Sequence, residues 1–173
     1  NNTLGGIYIV RDPRNVITSL KYHFSLKNYD EAFNMMENEH MWLGDEDINA
    51  VPQALSSWDK HFESWSRFPK NFLLIKYEDL LNNTKNEIKK ITKYLNKFFN
   101  IKENDKIINT IIKNTNFSNL KKQEEEQGFP ESIFDENTNE RKKFFNLGPE
   151  NKWVNLLDQE LINKIEKRFG PTM

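Results

Sequence analysis

The chain has 173 residues, with 25 Lys or Arg against 26 Asp or Glu and a formal net charge of −1. That length suits one domain, and that balance excludes bulk nucleic-acid binding and a polybasic membrane patch while leaving room for a local basic pocket. With no cysteine there is no disulfide framework, thiolate zinc site or cysteine nucleophile, and no metal site is expected.

The first element is Ile7-Tyr8-Ile9-Val10, apolar throughout and preceded by Gly5-Gly6. It reads as a strand buried on both faces, as inside a parallel sheet. Arg11-Asp12-Pro13 ends it, and Val16, Leu20, Phe24 and Lys27 predict a helix from Asn15 to Leu26. Residues 30–48 are polar with scattered Met and Phe and are expected to hold a short helix. From Pro52, the spacing of Ala54, Leu55, Trp58, Phe62 and Trp65 predicts an amphipathic helix closed by Pro69. Phe72-Leu73-Leu74-Ile75 is a second strand, with Tyr77-Glu78-Asp79 at its end. Thr84 and Glu87 have capping-box spacing, opening a helix with Ile88, Ile91, Leu95 and Phe98 on one face. A further helix fits Asp105 to Lys113. Residues 121–143, the most charged stretch, read as a mobile surface segment. A last helix runs from Asp158 to Phe169, closed by Gly170-Pro171.

Two strands, each followed by a helix, predict an α/β fold with a parallel sheet flanked by helices. Two parallel strands have little neighbouring surface to bury themselves, so further strands are expected upstream of residue 1, which is Asn. The 173 residues are thus read as a single partial domain.

Ligands of open α/β sheets bind at the carboxyl ends of the strands. Arg11 leaves the first strand there, and Ser19 lies one turn into the following helix. A guanidinium fork and a hydroxyl near a helix start make a phosphate clamp. A surface Arg11 paired with Asp12, and a Tyr77 merely packed in a turn, are the plainer readings of the same residues.

The spacing of the pieces adds to this. Arg-Asp-Pro-Arg-Asn-Val-Ile-Thr-Ser at 11–19 resembles the 3′-phosphate segment of the cytosolic-type sulfotransferases, Arg-x-Pro-x-x-Val-x-x-Ser. Ser57-Trp58, His61 and Trp65 look like that family's Ser-Trp-x-x-His-x-x-x-Trp helix. Tyr77-Glu78-Asp79 looks like its Tyr-Glu-Asp strand end, and Thr115-Asn116-Phe117 is similar to its Thr-Ser-Phe. Phe144-Phe145-Asn146-Leu147-Gly148, then Trp153, resembles the loop Arg-Lys-Gly-x-x-Gly-Asp-Trp. Five pieces in order make the chain resemble the C-terminal part of a sulfotransferase domain of P-loop type.

The resemblance implies transfer of a sulfuryl group from 3′-phosphoadenosine 5′-phosphosulfate (PAPS) to a hydroxyl or amine of a small-molecule acceptor. It implies that Arg11 and Ser19 hold the 3′-phosphate. Tyr77 contacts the adenine, Thr115 bonds an adenine nitrogen and Phe117 stacks on the base, a contact worth roughly 1–3 kcal/mol. Gly148 lets the backbone approach the 3′-phosphate. Trp58, Trp65 and His61 are structural. Asn146-Leu147 stand where the family has Arg-Lys, and Arg141 and Lys142, with Lys143, are the candidate replacements. Val154 and Asp158 stand at the Lys and Thr of a dimer motif, so dimerisation through that motif is not expected. The family's Pro-Lys-Ser-Gly-Thr-Thr-Trp loop and its catalytic histidine are not found in these residues, so no catalytic residue is assigned and the 173 residues by themselves are expected to be inactive.

Two other readings compete. A fragment of a P-loop small-molecule kinase would prefer ATP. A catalytically degenerate or purely helical binding module would carry no transfer chemistry. No apolar run approaches the roughly 18 residues that span a bilayer. The lack of cysteine fits a reducing cytoplasm, which is the expected location. The sequence leaves the acceptor and the oligomeric state open.

Overall fold

The structure is a computed structural model and describes residues 3–44, 51–67, 71–102, 104–132, 134–135 and 139–173. In chain order the elements are β1 (Gly6–Val10), α1 (Pro13–His23), α2 (Tyr29–Glu37), β2 (Trp42–Leu43), β3 (Gln53–Ala54), α3 (Trp58–Ser66), β4 (Phe72–Lys76), α4 (Tyr77–Asn82), α5 (Thr84–Leu95), α6 (Asp105–Asn114), α7 (Phe117–Gln127), β5 (Phe134–Asp135), β6 (Glu140–Arg141) and α8 (Gln159–Phe169). Short 3₁₀ turns lie at Gly148–Glu150, Trp153–Asn155 and Gly170–Thr172. The chain divides into two compact units. One is Asn1–Arg11 with Pro69–Glu150, and the other is Asp12–Phe68 with Asn151–Met173.

In the first unit β1 and β4 pair in parallel, Gly6 opposite Phe72 through Val10 opposite Lys76. The expected α/β class with a parallel sheet is therefore present. The expected burial of β1 on both faces is not: exposure alternates, and Ile7 and Ile9 lie open. Among the described residues β1 has β4 alone as a strand partner. Ile75 of β4 and Ile108 of α6 are fully buried, and the Tyr94 hydroxyl of α5 donates to the Asn71 carbonyl just ahead of β4.

The capping box expected at Thr84 does not form. Asn83 is the cap residue, while the Thr84 hydroxyl donates 2.6 Å back to the Leu80 carbonyl. The reason is that α4 and α5 nearly abut, so Thr84 already sits within helical backbone. Glu87 is instead buried beside Lys90. Helix α7 takes in the first part of the segment read as mobile. Its start is fixed by the Asn116 side chain, which accepts 2.9 Å from the Asn119 N–H. Good helix formers follow, and Gly128 at φ +74° ends it. Beyond it β5 and β6 form a short antiparallel pair.

In the second unit α1 begins two residues before the expected Asn15. The Asp12 side chain accepts 2.9 Å from the Arg14 N–H, and Pro13 sits in the first turn, where its missing N–H costs nothing. The helix stops at His23 because Ser25 turns to φ +54°. Helix α3 likewise starts at Trp58 and not near Ala54: β3 pairs with β2, and Ser56 adopts φ +58° before the helix opens. The expected closure of α3 by Pro69 lies outside the described residues.

The core here joins α1, α2 and α8 through Ile17, Ala32, Met36, Leu161, Ile165 and Phe169. Trp58 meets the Phe169 ring edge-on, with centroids 5.6 Å apart. Asp158 caps α8, accepting 2.8 Å from the Leu161 N–H. Among the described residues no helix is long and apolar enough to cross a membrane, and no cluster of acidic and histidine side chains could hold a metal ion.

Candidate functional site

The strand register builds the first part of the site. Val10 and Lys76 are opposite one another at the carboxyl end of the parallel pair, so Arg11 and Tyr77 leave the two strands side by side. The Arg11 guanidinium lies over the Tyr77 ring, 4.3 Å from its centroid. Such a contact contributes about 0.5–2 kcal/mol and fixes a long, flexible side chain. Arg11 thus stands braced at the strand end where an anion is expected.

A second cluster in the same unit surrounds Phe117, the first residue of α7. A Cβ placed on Gly148 would lie 2.5 Å from Phe117 Cδ2 and Cζ and closer still to Cε2. Gly148 also adopts φ +52°, a conformation other residues resist. The glycine therefore lets the loop lie against the Phe117 ring, a role the motif alone did not specify. Phe145 meets that ring edge-on at 6.2 Å. The loop is held from below by Glu124. Its buried carboxylate accepts 2.5 Å from the Phe144 N–H and 2.9 Å from the Phe145 N–H. The exposed Thr115, at the end of α6, donates 2.8 Å to the Ile111 carbonyl.

The basic run is engaged locally. Arg141 donates 3.0 Å to the Ser132 carbonyl, Lys142 pairs 2.9 Å with the buried Asp135, and Lys143 pairs 2.7 Å with Glu125.

In the second unit Ser19 sits one turn into α1. Its hydroxyl lies 3.2 Å from the Asn15 carbonyl and accepts 3.0 Å from Nδ2 of Asn151. Asn151 is buried, and its Oδ1 accepts 2.6 Å from the Thr18 hydroxyl. The Asn15 side chain accepts 3.0 Å from the Trp153 N–H, tying the 151–153 segment to the start of α1. Arg14 grips both oxygens of Asp12, reaches Glu166 at 2.7 Å and lies over the Trp153 ring at 4.1 Å. Of the two arginines in the Arg-Asp-Pro-Arg segment, Arg14 is thereby a structural strut.

On α3 the Trp65 indole donates 3.2 Å to His61 Nε2, and burial pushes the imidazole below its ordinary pKa. Burial works against the charged form of Asp59. Hydrogen bonds from Arg168, at 2.7 Å, and from Ser57 outweigh it and hold its pKa below the usual carboxylate value.

Arg11 with Tyr77, and Phe117 with Gly148, are thus brought into contact, while Arg141 and Lys142 are engaged at the β5–β6 hairpin. Sequence reasoning missed Asn151 and Glu124. Asn151 stands at the second glycine position of the loop pattern, a departure that marked it. Glu124 lies in a run of three glutamates, where nothing distinguishes the buried one.

A family model described as "Sulfotransferase domain" matches residues 2–173. The human protein "Sulfotransferase 2A1" is 30% identical over 117 residues, covering 66% of this chain and 38% of the human protein. "Flavonol 3-sulfotransferase" of Flaveria bidentis is 27% identical over 169 residues, covering 93% of this chain and 52% of that protein. The chain spans less than two thirds of the length of these curated relatives. The crystal structure of mouse sulfotransferase SULT7A1 complexed with PAP superposes with a TM-score of 0.63 at 23% identity, over 96% of this chain and 57% of that one. That likeness supports the α/β fold described above.

Proposed function

Because the chain belongs to the sulfotransferase family, we propose that it serves sulfuryl transfer from PAPS to the hydroxyl or amine of a small organic acceptor. In that reaction the acceptor oxygen or nitrogen bonds to sulfur, the bond to the phosphate oxygen breaks, adenosine 3′,5′-bisphosphate leaves and the acceptor proton is released. Residues 1–173 are proposed to act as one piece of such a domain, supplying the grip on the 3′-phosphoadenosine half. No catalytic base is proposed among them.

The observation that carries the reading is the Arg11 guanidinium braced on Tyr77 at the carboxyl end of the parallel strands. The side chains present suit the donor. A permanently charged guanidinium and the Ser19 hydroxyl are donors for the 3′-phosphate, the pairing following the family pattern. Tyr77 and the Phe117 ring, backed by Gly148, offer aromatic faces to adenine. Thr115 gives its proton to Ile111, which leaves its oxygen to accept from the exocyclic nitrogen of the base. Arg141 and Lys142 are the proposed substitutes for the cations missing at Asn146 and Leu147. Each exchanges a protein partner for the phosphate in that role. The cytosolic-type pattern makes the cytoplasm the proposed compartment.

The test is calorimetric titration of the chain with adenosine 3′,5′-bisphosphate, with adenosine 5′-monophosphate and ATP as controls. Wild type is expected to prefer the bisphosphate. Arg11→Ala is expected to weaken it about 10- to 100-fold, the loss of one charge-assisted contact of roughly 1.5–3 kcal/mol. Unchanged affinity would remove Arg11 from the site, and a preference for ATP would favour kinase chemistry.

A further inference from the structure

We infer that Asn151 is a positioning residue that makes the Ser19 hydroxyl a one-way donor toward an anionic ligand. The inference rests on the proposed role of Ser19 in holding a 3′-phosphate, and it deepens that role with a residue outside the matched family pattern.

Asn151 is buried and its amide is oriented from both ends. Its Oδ1 accepts from Thr18 at 2.6 Å, so its Nδ2 faces Ser19 and donates at 3.0 Å. A serine hydroxyl has one proton and two lone pairs. With one lone pair occupied by the amide, its proton is directed elsewhere. In the structure that proton reaches the Asn15 carbonyl at a long 3.2 Å, and the same carbonyl also accepts from the Asn151 amide at 3.5 Å. Releasing the Ser19 proton to a phosphate oxygen therefore leaves no buried acceptor unmade. Donation from the amide also polarises the hydroxyl and strengthens the bond it makes outward.

The substitution that separates this role from simple packing is Asn151→Asp. The carboxylate is nearly the same shape but accepts where the amide donated. It captures the Ser19 proton and sets a negative charge beside the expected phosphate. Asn151→Ser, too short to reach Ser19, is the second variant should the aspartate not fold.

The readout is the ratio of dissociation constants for adenosine 5′-monophosphate and adenosine 3′,5′-bisphosphate, measured on the full chain by calorimetry. The ratio reports the 3′-phosphate alone and is insensitive to a general loss of stability. Asn151→Asp is expected to lower it about 10-fold or more, the worth of one charge-assisted hydrogen bond. Ser19→Ala is expected to lower it as well, and Asn151→Ser in that background should lower it no further. A ratio retained in Asn151→Asp and Asn151→Ser, or lowered additively with Ser19→Ala, overturns the inference while the site reading stands. A wild-type ratio near one overturns the site reading itself, and this inference with it.

Discussion

Replacing Gly148 by alanine tests whether the loop is shaped by the Phe117 ring. The new methyl carbon would lie 2.5 Å from Cδ2 and Cζ of that ring, where carbon atoms normally rest about 3.5–4.0 Å apart. One side must retreat by at least an ångström, and Phe145 stands edge-on to the ring and limits where it can go. Overpacking of this kind costs roughly 1–3 kcal/mol. The backbone at φ +52° adds about 1–2 kcal/mol for any residue with a Cβ. Gly148→Ala is therefore expected to destabilise the chain by about 2–5 kcal/mol in urea denaturation. The two contributions separate in a cycle with Phe117→Ala. In that background the ring is gone, and the same glycine change should cost only the backbone part, about 1–2 kcal/mol. Equal costs in the two backgrounds, within about 0.5 kcal/mol, would refute the steric argument and leave backbone conformation as the whole reason for the glycine.

Glu124→Gln leaves one of the two backbone N–H groups at Phe144 and Phe145 facing an amide NH₂, since the neutral side chain has a single oxygen. A loss of about 1–3 kcal/mol is expected, with faster hydrogen exchange confined to those two amides and their neighbours. Asp59→Asn removes the carboxylate 2.7 Å from Arg168 and leaves it the more distant Glu39 at 3.8 Å, and a comparable loss of about 1–3 kcal/mol is expected at pH 7. The Asp59 pKa is lowered on folding, so its stabilising effect is complete above the unfolded value of about 3.9 and is lost as pH falls through the folded value. The gap between wild type and variant, followed by denaturation, should accordingly close below about pH 4 and stay constant above it. A gap that persists in acid would mean that Asp59 acts through its shape and not its charge.

Much of this protein was legible locally. The strands at Ile7 and Phe72 and the helices from Asp105 and Asp158 announce themselves by apolar pattern and capping residues, because both signals act within about four residues. Where local signals compete, the outcome was less readable. Thr84 has the right spacing for a cap yet lies inside helical backbone, because α4 ends next to it. Lys121 to Gln127 looked like a charged surface stretch, and they are helical because Asn116 caps the turn ahead of them.

The candidate site divides in the same way. Residues at strand ends, Arg11 and Tyr77, could be named from the sequence because chain order in a parallel sheet already dictates which end carries the ligand. Their mutual stacking required the register of β1 on β4. Asn151 meets Ser19 across 132 positions, and Glu124 meets Phe144 across 20. No periodicity marks such pairs, since they arise only when distant elements settle against one another and every buried polar group must find a partner. The sequence by itself therefore determined the α/β plan and the residue types proposed to meet a phosphorylated adenosine. Tertiary structure alone decided which arginine is stacked on a tyrosine, which glutamate holds the loop, and which asparagine donates to the serine. Strand order and helix capping are written within a few residues, whereas the satisfaction of buried hydrogen bonds depends on the packed chain.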